Sequence, residues 1–385
     1  MVADLIADDR GELVTLMEPL LVGEGCRERG EITDLAFELA QKSAGFRRSL
    51  PSSLLASLSD LVRSMNCYYS NLIEGHSTHP IDIERALKND YSQDSYKRDL
   101  QLEAKAHIAV QKWIDGGGLG GGGALRAEGI REIHRRLCGL LPGELRRRDI
   151  KVGRHVAVSP GALPRFLERF EQVYGRTGKT ESVIATAAAH HRFLWMHPFL
   201  DGNGRVARLM SHAQLLETLD TGAVWSVARG LARNVQEYKA LLANCDQARR
   251  NDLDGRGALS EEALAEFTQF FLKICLDQVT FMESLVRPDR LRTRIVLWAE
   301  EEIRLGGLPP QSSSLLEALL YRGGVPRGEA GTVVSTGERQ ARRIVAALLD
   351  KGVLASESPR APLHIAFPAA LASRWMPGLF PENPD

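Results

Sequence analysis

The residues best suited to chemistry lie in one run, His197-Pro198-Phe199-Leu200-Asp201-Gly202-Asn203-Gly204-Arg205-Val206-Ala207-Arg208. An imidazole with an ordinary pKa of about 6.5 can accept a proton at neutral pH, so His197 is a candidate general base. Pro198 cannot continue a helix. The turn Gly202-Asn203-Gly204 permits left-handed backbone and close approach to a ligand. A helix starting near Asn203 or Gly204 would aim unsatisfied N–H groups and the positive end of its dipole back at that turn, forming an anion site. Arg205 and Arg208 lie three apart, so both can face one ligand. Asp201 offers a hard oxygen of the kind Mg²⁺ takes alongside phosphate oxygens. Taken singly, a histidine before proline or a Gly-Asn-Gly turn is an ordinary helix connection. Taken together, a base, a metal carboxylate, an N–H cradle and two arginines fit phosphoryl or nucleotidyl transfer.

The elements that must position this run are mainly helical. The preceding segment 181–196 is Ala-rich and apolar, which predicts a central, buried helix. Apolar residues Leu54, Leu55, Leu58, Leu61, Val62, Met65, Tyr69 and Leu72 form a stripe of period near 3.6, with Gly75 where that helix would stop. Similar stripes run through 97–114, 127–141, 162–174, 204–219, 234–248 and 261–285. The alternating stretch 151–159, KVGRHVAVS, predicts a short hairpin, and the glycine tract 116–124 a loop. After Pro288 a charged helix (289–304) leads through GGLPPQSSS to helices at 313–322 and 336–351. A short helix or turn lies between them at 325–331, and strands at 352–356 and 362–366 follow. Ser335 and Glu338 are spaced as a capping box for the longer helix. That order predicts a winged helix. The expected organisation is an N-terminal helical region (1–95), a catalytic core (96–288) and a winged-helix-like C-terminal unit (289–385).

The run 197–208 resembles the signature of the Fic family, H-P-F-x-[D/E]-G-N-G-R-x-x-R, without a departure. The resemblance covers roughly residues 55–285. It implies a Fic-type helical core that transfers AMP from ATP to a Ser, Thr or Tyr hydroxyl of a protein target and of itself. On that resemblance His197 is the base, Phe199 anchors the loop and Asp201 holds Mg²⁺. Gly202, Asn203 and Gly204 cradle the α- and β-phosphates, and Arg205 and Arg208 bind phosphates, with Arg208 nearest the γ-phosphate. Residues 148–159 occupy the place of the family's flap, which holds a target segment by strand addition through Val156, Ala157 and Val158. Asn234 and Tyr238, one turn apart, are candidates to contact adenine.

Ser70-Asn71-Leu72-Ile73-Glu74-Gly75 resembles the family's inhibitory motif, [S/T]-x-x-x-E-[G/N], placed before the catalytic run as in the N-terminally inhibited class. Glu74 near a helix end could pair with Arg208 and occupy the place of the γ-phosphate, with Ser70 on the same face helping to fix it. A carboxylate at a helix C-terminus is disfavoured by the dipole, so a partner cation would hold it there. The same glutamate can support removal of AMP in the family, so an enzyme acting mainly in reverse, or with another nucleotide, is an alternative.

The remaining features narrow the class. The chain has 385 residues, with Lys+Arg and Asp+Glu both 49, so it carries no overall polyelectrolyte signal for nucleic acid or membrane. The five cysteines (Cys26, Cys67, Cys138, Cys245, Cys275) are scattered and form no C-x-x-C, which fits reduced thiols in a cytoplasmic protein. The N-terminal stretch lacks a signal-peptide pattern, and no apolar run is long enough to span a membrane. Gly178-Lys179-Thr180 lacks the first P-loop glycine, and the spacing of Gly116, Gly118 and Gly121 is incidental to a glycine tract. Asp252, Asp254 and Gly257 end on Ala263 where a calcium loop needs Glu. Arg339, Arg342 and Arg343 on the last long helix are candidates for DNA phosphate contacts, which keeps a DNA-binding regulator as an alternative. A homodimer is a further candidate assembly.

Overall fold

The computed structural model describes residues 8–120, 123–139, 142–175, 177–356 and 358–381; Gly121 therefore lies outside the described residues. In chain order the helices are α1 (Arg29–Ser49), α2 (Ser52–Ile73), α3 (Pro80–Leu87), α4 (Ser95–Asp115), α5 (Ala127–Leu137), α6 (Leu163–Tyr174), α7 (Lys179–Met196), α8 (Asn203–Leu219), α9 (Val227–Arg233), α10 (Val235–Cys245), α11 (Glu261–Leu285), α12 (Pro288–Arg304), α13 (Ser312–Arg322), α14 (Ala330–Val333), α15 (Glu338–Asp350) and α16 (Ala372–Trp375). Among the described residues, strands are confined to two small antiparallel hairpins. β1 (Lys151–Val152) pairs with β2 (His155–Val156), and β3 (Leu354–Ala355) with β4 (His364–Ile365). The mainly α class holds.

The centre is the pair α7 and α8. From Ser182 to Met196 every residue of α7 except Leu194 is buried, and α8 is buried continuously from Arg205 to Leu215. Ala185, Ala187, Ala188 and Ala189 on α7 and Ala207 on α8 are essentially inaccessible. Small side chains let two helices approach closely, and the absence of a polar stripe is what a fully enclosed helix shows. Helices α6, α1 and α11 pack on α7, while α2, α4 and α5 pack on α8. The loop between this central pair therefore emerges from the best-packed part of the molecule.

Local rules explain the ends that matter. Helix α2 stops where Gly75 takes φ +87°; Gly75 N–H donates to Leu72 O (3.1 Å) and His76 N–H to Asn71 O (2.9 Å). This Schellman closure satisfies the last carbonyls and leaves Glu74 as the C-cap residue, just past Ile73. Helix α11 starts at Ser260, whose Oγ accepts from Ala263 N–H (3.1 Å). Asp254 closes the loop before it by accepting from Ser260 Oγ (2.9 Å), Glu262 N–H (2.9 Å) and Arg250 N–H (3.1 Å). The acid of the calcium-like spacing is thus engaged in capping.

Three expectations shift. The stripe expected over 234–248 forms α10 alone, ending at Cys245, and an unexpected short helix, α9, precedes it with Asn234 at the junction. The expected list also lacked α1, whose buried residues Ile32, Ala36, Leu39, Ser43 and Phe46 include small and polar members and make a thin stripe. The capping box at Ser335 does not form: Ser335 is left-handed (φ +52°), Thr336 N–H turns back to Gly331 O (2.9 Å), and α15 begins at Glu338 after Gly337. After α13, Val325 exchanges backbone hydrogen bonds with Leu363 (2.9 and 2.8 Å) and extends the β3–β4 hairpin.

Replacing Ala188 with Leu should overpack the central helices and cost about 1–3 kcal/mol. Urea unfolding reads this as a lower midpoint at unchanged slope; an unchanged midpoint would mean that the interior holds spare room there.

Candidate active site

His197 ends α7 in a left-handed conformation (φ +49°, ψ 60°), uncommon for a non-glycine residue. Its strain is held by Arg146, which is buried. The Arg146 guanidinium donates through Nε to His197 O (2.8 Å), through Nη2 to Met196 O (3.3 Å) and to Val158 O, and through Nη1 to Arg148 O (3.0 Å). Its own N–H donates to Pro198 O (2.9 Å). Five directed donors let one side chain satisfy carbonyls from two segments, here the stretches flanking the β1–β2 hairpin and the turn after α7. Burial pulls the Arg146 pKa below its ordinary value. The His197 ring has Nδ1 3.3 Å from Leu194 O. Burial lowers its pKa below 6.5, and Leu194 O and a more distant Glu74 oppose that in part. At neutral pH it is a neutral imidazole.

Phe199 is wholly buried and stacks on His134, with centroids 3.8 Å apart. His134 Nδ1 accepts from Gly143 N–H (2.9 Å), so its Nε2 carries the proton and donates to Asp201 O (3.1 Å). Asn203 closes the loop from inside, accepting from Phe199 N–H (3.0 Å) and donating to Phe199 O (2.8 Å). Gly202 takes φ +78°, and a Cβ there would stand 2.6 Å from Cys138 Sγ, so only glycine fits.

The two arginines separate. Arg208 is almost fully buried on the inner side: its Nε donates to Ser70 Oγ (2.8 Å), and Nη2 donates to Ser70 O (3.0 Å) and to the Glu74 carboxylate. Gly204 faces that carboxylate with no space for a Cβ. Burial pushes the Glu74 pKa up, but the Arg208 charge and hydrogen bond outweigh it and hold Glu74 below 4.5. Arg205 instead bridges Asp201 Oδ2 (2.9 Å) and Glu103, which also meets His76 Nδ1 (3.1 Å). The Asp201 side chain is 72% exposed, and its second oxygen has no protein partner among the described residues.

A cavity of about 1080 Å³ opens beside this loop, bounded by Glu74, Gly204, Arg208, His197, the β1–β2 hairpin and Tyr238. Val156 lines it and is exposed, whereas Ala157 and Val158 are buried. Tyr238 reaches the cavity wall with its hydroxyl on His190 Nε2 (2.7 Å), and burial raises its pKa to about 12. Asn234 lies elsewhere, on a separate groove of about 570 Å³, with its amide on Gly230 O (2.9 Å). Lys239, Leu242 and Asp246 line the main cavity and were not expected. Leu242 and Asp246 continue the face of Tyr238 at four-residue steps, a periodicity visible in the sequence. Arg146, His134 and Glu103 act through contacts distant in sequence and leave no local signal.

The Fic/DOC family model matches residues 124–215. "Protein adenylyltransferase Fic" of Drosophila persimilis is 28% identical over 198 residues, which cover 48% of this chain and 39% of that protein. The like-named protein of Culex quinquefasciatus is 30% identical over 158 residues, 39% of this chain and 31% of that one. The matches thus span well under half the length of these curated relatives. In fold, a Fic family protein from Desulfovibrio desulfuricans G20 superposes with TM-score 0.53 at 16% identity, covering 90% of this chain and 98% of that chain. Fic-1 (residues 134–508) of C. elegans gives 0.54 at 15% identity, covering 67% and 73%. Residues 124–215 therefore match the Fic/DOC family model, within a mainly helical fold shared with Fic proteins of known structure.

Proposed function

We propose that the chain is a protein adenylyltransferase, moving AMP from ATP to a side-chain hydroxyl of a protein target and of itself, with Glu74 as its brake. One observation carries this reading: a buried guanidinium, Arg208, stands at the opening of α8 in a cavity shared with a neutral His197, and a carboxylate fills the place where an anion would sit. The first N–H groups of α8 have no partner within the helix, and with the dipole they favour the negative charge of a triphosphate.

In the proposed reaction Nδ1–H of His197 faces Leu194 O, leaving Nε2 to take the proton of the target hydroxyl. The hydroxyl oxygen bonds to the α-phosphorus, the bond from that phosphorus to the bridging oxygen breaks, and pyrophosphate leaves. Arg208 then matches the terminal phosphate charge. Arg205 orients Asp201 and fixes the loop through Glu103. Mg²⁺ fits the donor set, since Asp201 presents a free hard oxygen at the loop tip; bound there, it would neutralise phosphate charge. Val156 at the flap edge is suited to align a target strand; the buried Ala157 and Val158 support it from below. Leu242 and Tyr238 offer an apolar wall to a nucleobase. The C-terminal order α12–α13–α14–α15–hairpin, with Val325 as a third strand, supports a winged-helix-like unit over 289–385.

A DNA-binding regulator is the weaker reading. Arg339 and Arg343 are exposed on α15, but Arg342 is paired with Glu338 (3.0 Å), and the chain has no net charge. Salt-sensitive, sequence-specific duplex binding abolished by Arg342→Glu would promote it.

His197→Ala should abolish transfer from labelled ATP while leaving the unfolding midpoint unchanged; persistent transfer would mean that another base serves. Glu74→Gly should raise self-modification, and a signal equal to or below wild type would remove the brake from this account. Asp201→Ala should lose most magnesium-dependent transfer, by about 10²-fold or more if electrostatic stabilisation follows the usual scale; full activity would place the metal elsewhere.

The pH dependence has a defined sign. Because the His197 pKa lies below 6.5, transfer by the E74G protein should stay level through neutral pH and fall only in acid, at a lower pH than an ordinary histidine would dictate. Because the Glu74 pKa is depressed, its pairing with Arg208 is complete above 4.5 and is lost only as pH falls through the folded value, so the wild-type brake should hold throughout the neutral range. A neutral-pH midpoint in the wild-type to E74G activity ratio would contradict this.

A further inference from the structure

Helix α2 does not rest on the catalytic domain alone. Its N-terminal half meets the C-terminal hairpin, where Ser57 Oγ donates to Ile365 O. Its last turns are covered by the end of the chain. Tyr69 Oη donates to Leu379 O (2.9 Å). The Phe380 ring packs edge-on against Tyr68 (5.4 Å) and parallel to Tyr69 (6.4 Å). Arg229 anchors the same strap from the far side. Its Nη2 donates to Gly378 O (2.7 Å) and its Nη1 to Gln278 Oε1 (3.0 Å), while its guanidinium lies 3.5 Å over Phe281. Leu379 and Met376 are buried beneath it. In addition, Ala369 N–H donates to Glu84 of α3, the next helix in sequence (2.8 Å).

The covered turn is the one that grips Arg208. Ser70 follows Tyr69 directly, and Arg208 is held by the Ser70 hydroxyl, the Ser70 backbone carbonyl and Glu74 together. A backbone carbonyl cannot swing away by a rotamer change. The Ser70 contacts register α2 against Arg208, so the position of α2 sets how firmly Glu74 reaches the guanidinium, and the strap over Tyr68 and Tyr69 holds that position.

We propose that residues 376–380 are a strap that locks α2 in its braking position, so that the C-terminal unit sets the activity of a site it does not line. This rests on the adenylyltransferase reading for its activity readout. The coupling is local and physical: strap contacts stabilise the α2 position in which Glu74 and Ser70 hold Arg208, and a phosphate competing for Arg208 must overcome both.

The test uses the full chain with Tyr69→Phe, which deletes the hydroxyl bond to Leu379 and keeps the ring, and separately Phe380→Ala. Each is made in wild type and in the E74G protein. Both should raise self-modification from labelled ATP in the wild-type background, by about tenfold if the coupling is of ordinary size. Neither should raise it further in E74G, where the brake is already gone. Damage unrelated to the brake would instead lower activity in both backgrounds. Hydrogen exchange supplies a readout independent of turnover: amides of 70–76 should exchange faster in both variants. Unchanged exchange there, or an equal relative rise in the E74G background, would overturn the strap. If E74G transfers nothing, the adenylyltransferase reading fails and the strap is judged on exchange alone.

Discussion

The opening of α8 imposes the constraint on which the site depends. A helix N-terminus carries roughly half a positive charge and several unpaired N–H groups, and here a buried arginine is added to it. Such a concentration of positive charge requires an anion. In this structure the anion is Glu74, brought from a helix more than a hundred residues earlier in the chain. The Schellman turn at Gly75, the missing Cβ at Gly204 and the two hydrogen bonds from Arg208 to Ser70 all serve this placement. The same physics makes the pair exchangeable: a triphosphate offers more charge and more acceptors than one carboxylate.

Buried arginines recur around this opening, and they divide by what they hold. Arg146 and Arg192 bond mainly to carbonyls: Arg146 to those of the turn after α7 and of the stretches flanking the β1–β2 hairpin, Arg192 to Pro19 O (3.0 and 2.8 Å). A guanidinium without a carboxylate is a costly group to bury, and here it ties down irregular backbone that no secondary structure supports. Arg205 and Arg208, by contrast, bond to carboxylates. Of these four, Arg208 is the one that lines the cavity, which leaves it as the buried cation whose partner can change.

In the proposed brake, release is a balance between two positions of α2. Strap contacts from the C-terminal end add to the held position without touching the reacting groups. Under that proposal the site answers to contacts far from it, while α7 and α8 hold its residues in place.

The sequence by itself determined the residue types gathered at the candidate site and most of the helices. The order of residues in 197–208 carries a base, a carboxylate, a tight turn and a helix start, because each depends on neighbours within a few positions. The spacing of Ser70, Glu74 and Gly75 likewise marked one helical face and its end. Tertiary structure alone decided what those groups face. Arg205 and Arg208 share a spacing that allows a common ligand, yet packing against α4 gives Arg205 to Glu103 and packing against α2 gives Arg208 to Glu74. Asn234 and Tyr238 share a helical step, but the break between α9 and α10 sends them to different grooves. His134, Arg146 and the strap over α2 join residues tens to hundreds of positions apart; local periodicity carries no record of such contacts, because they arise only when the helices close on one core.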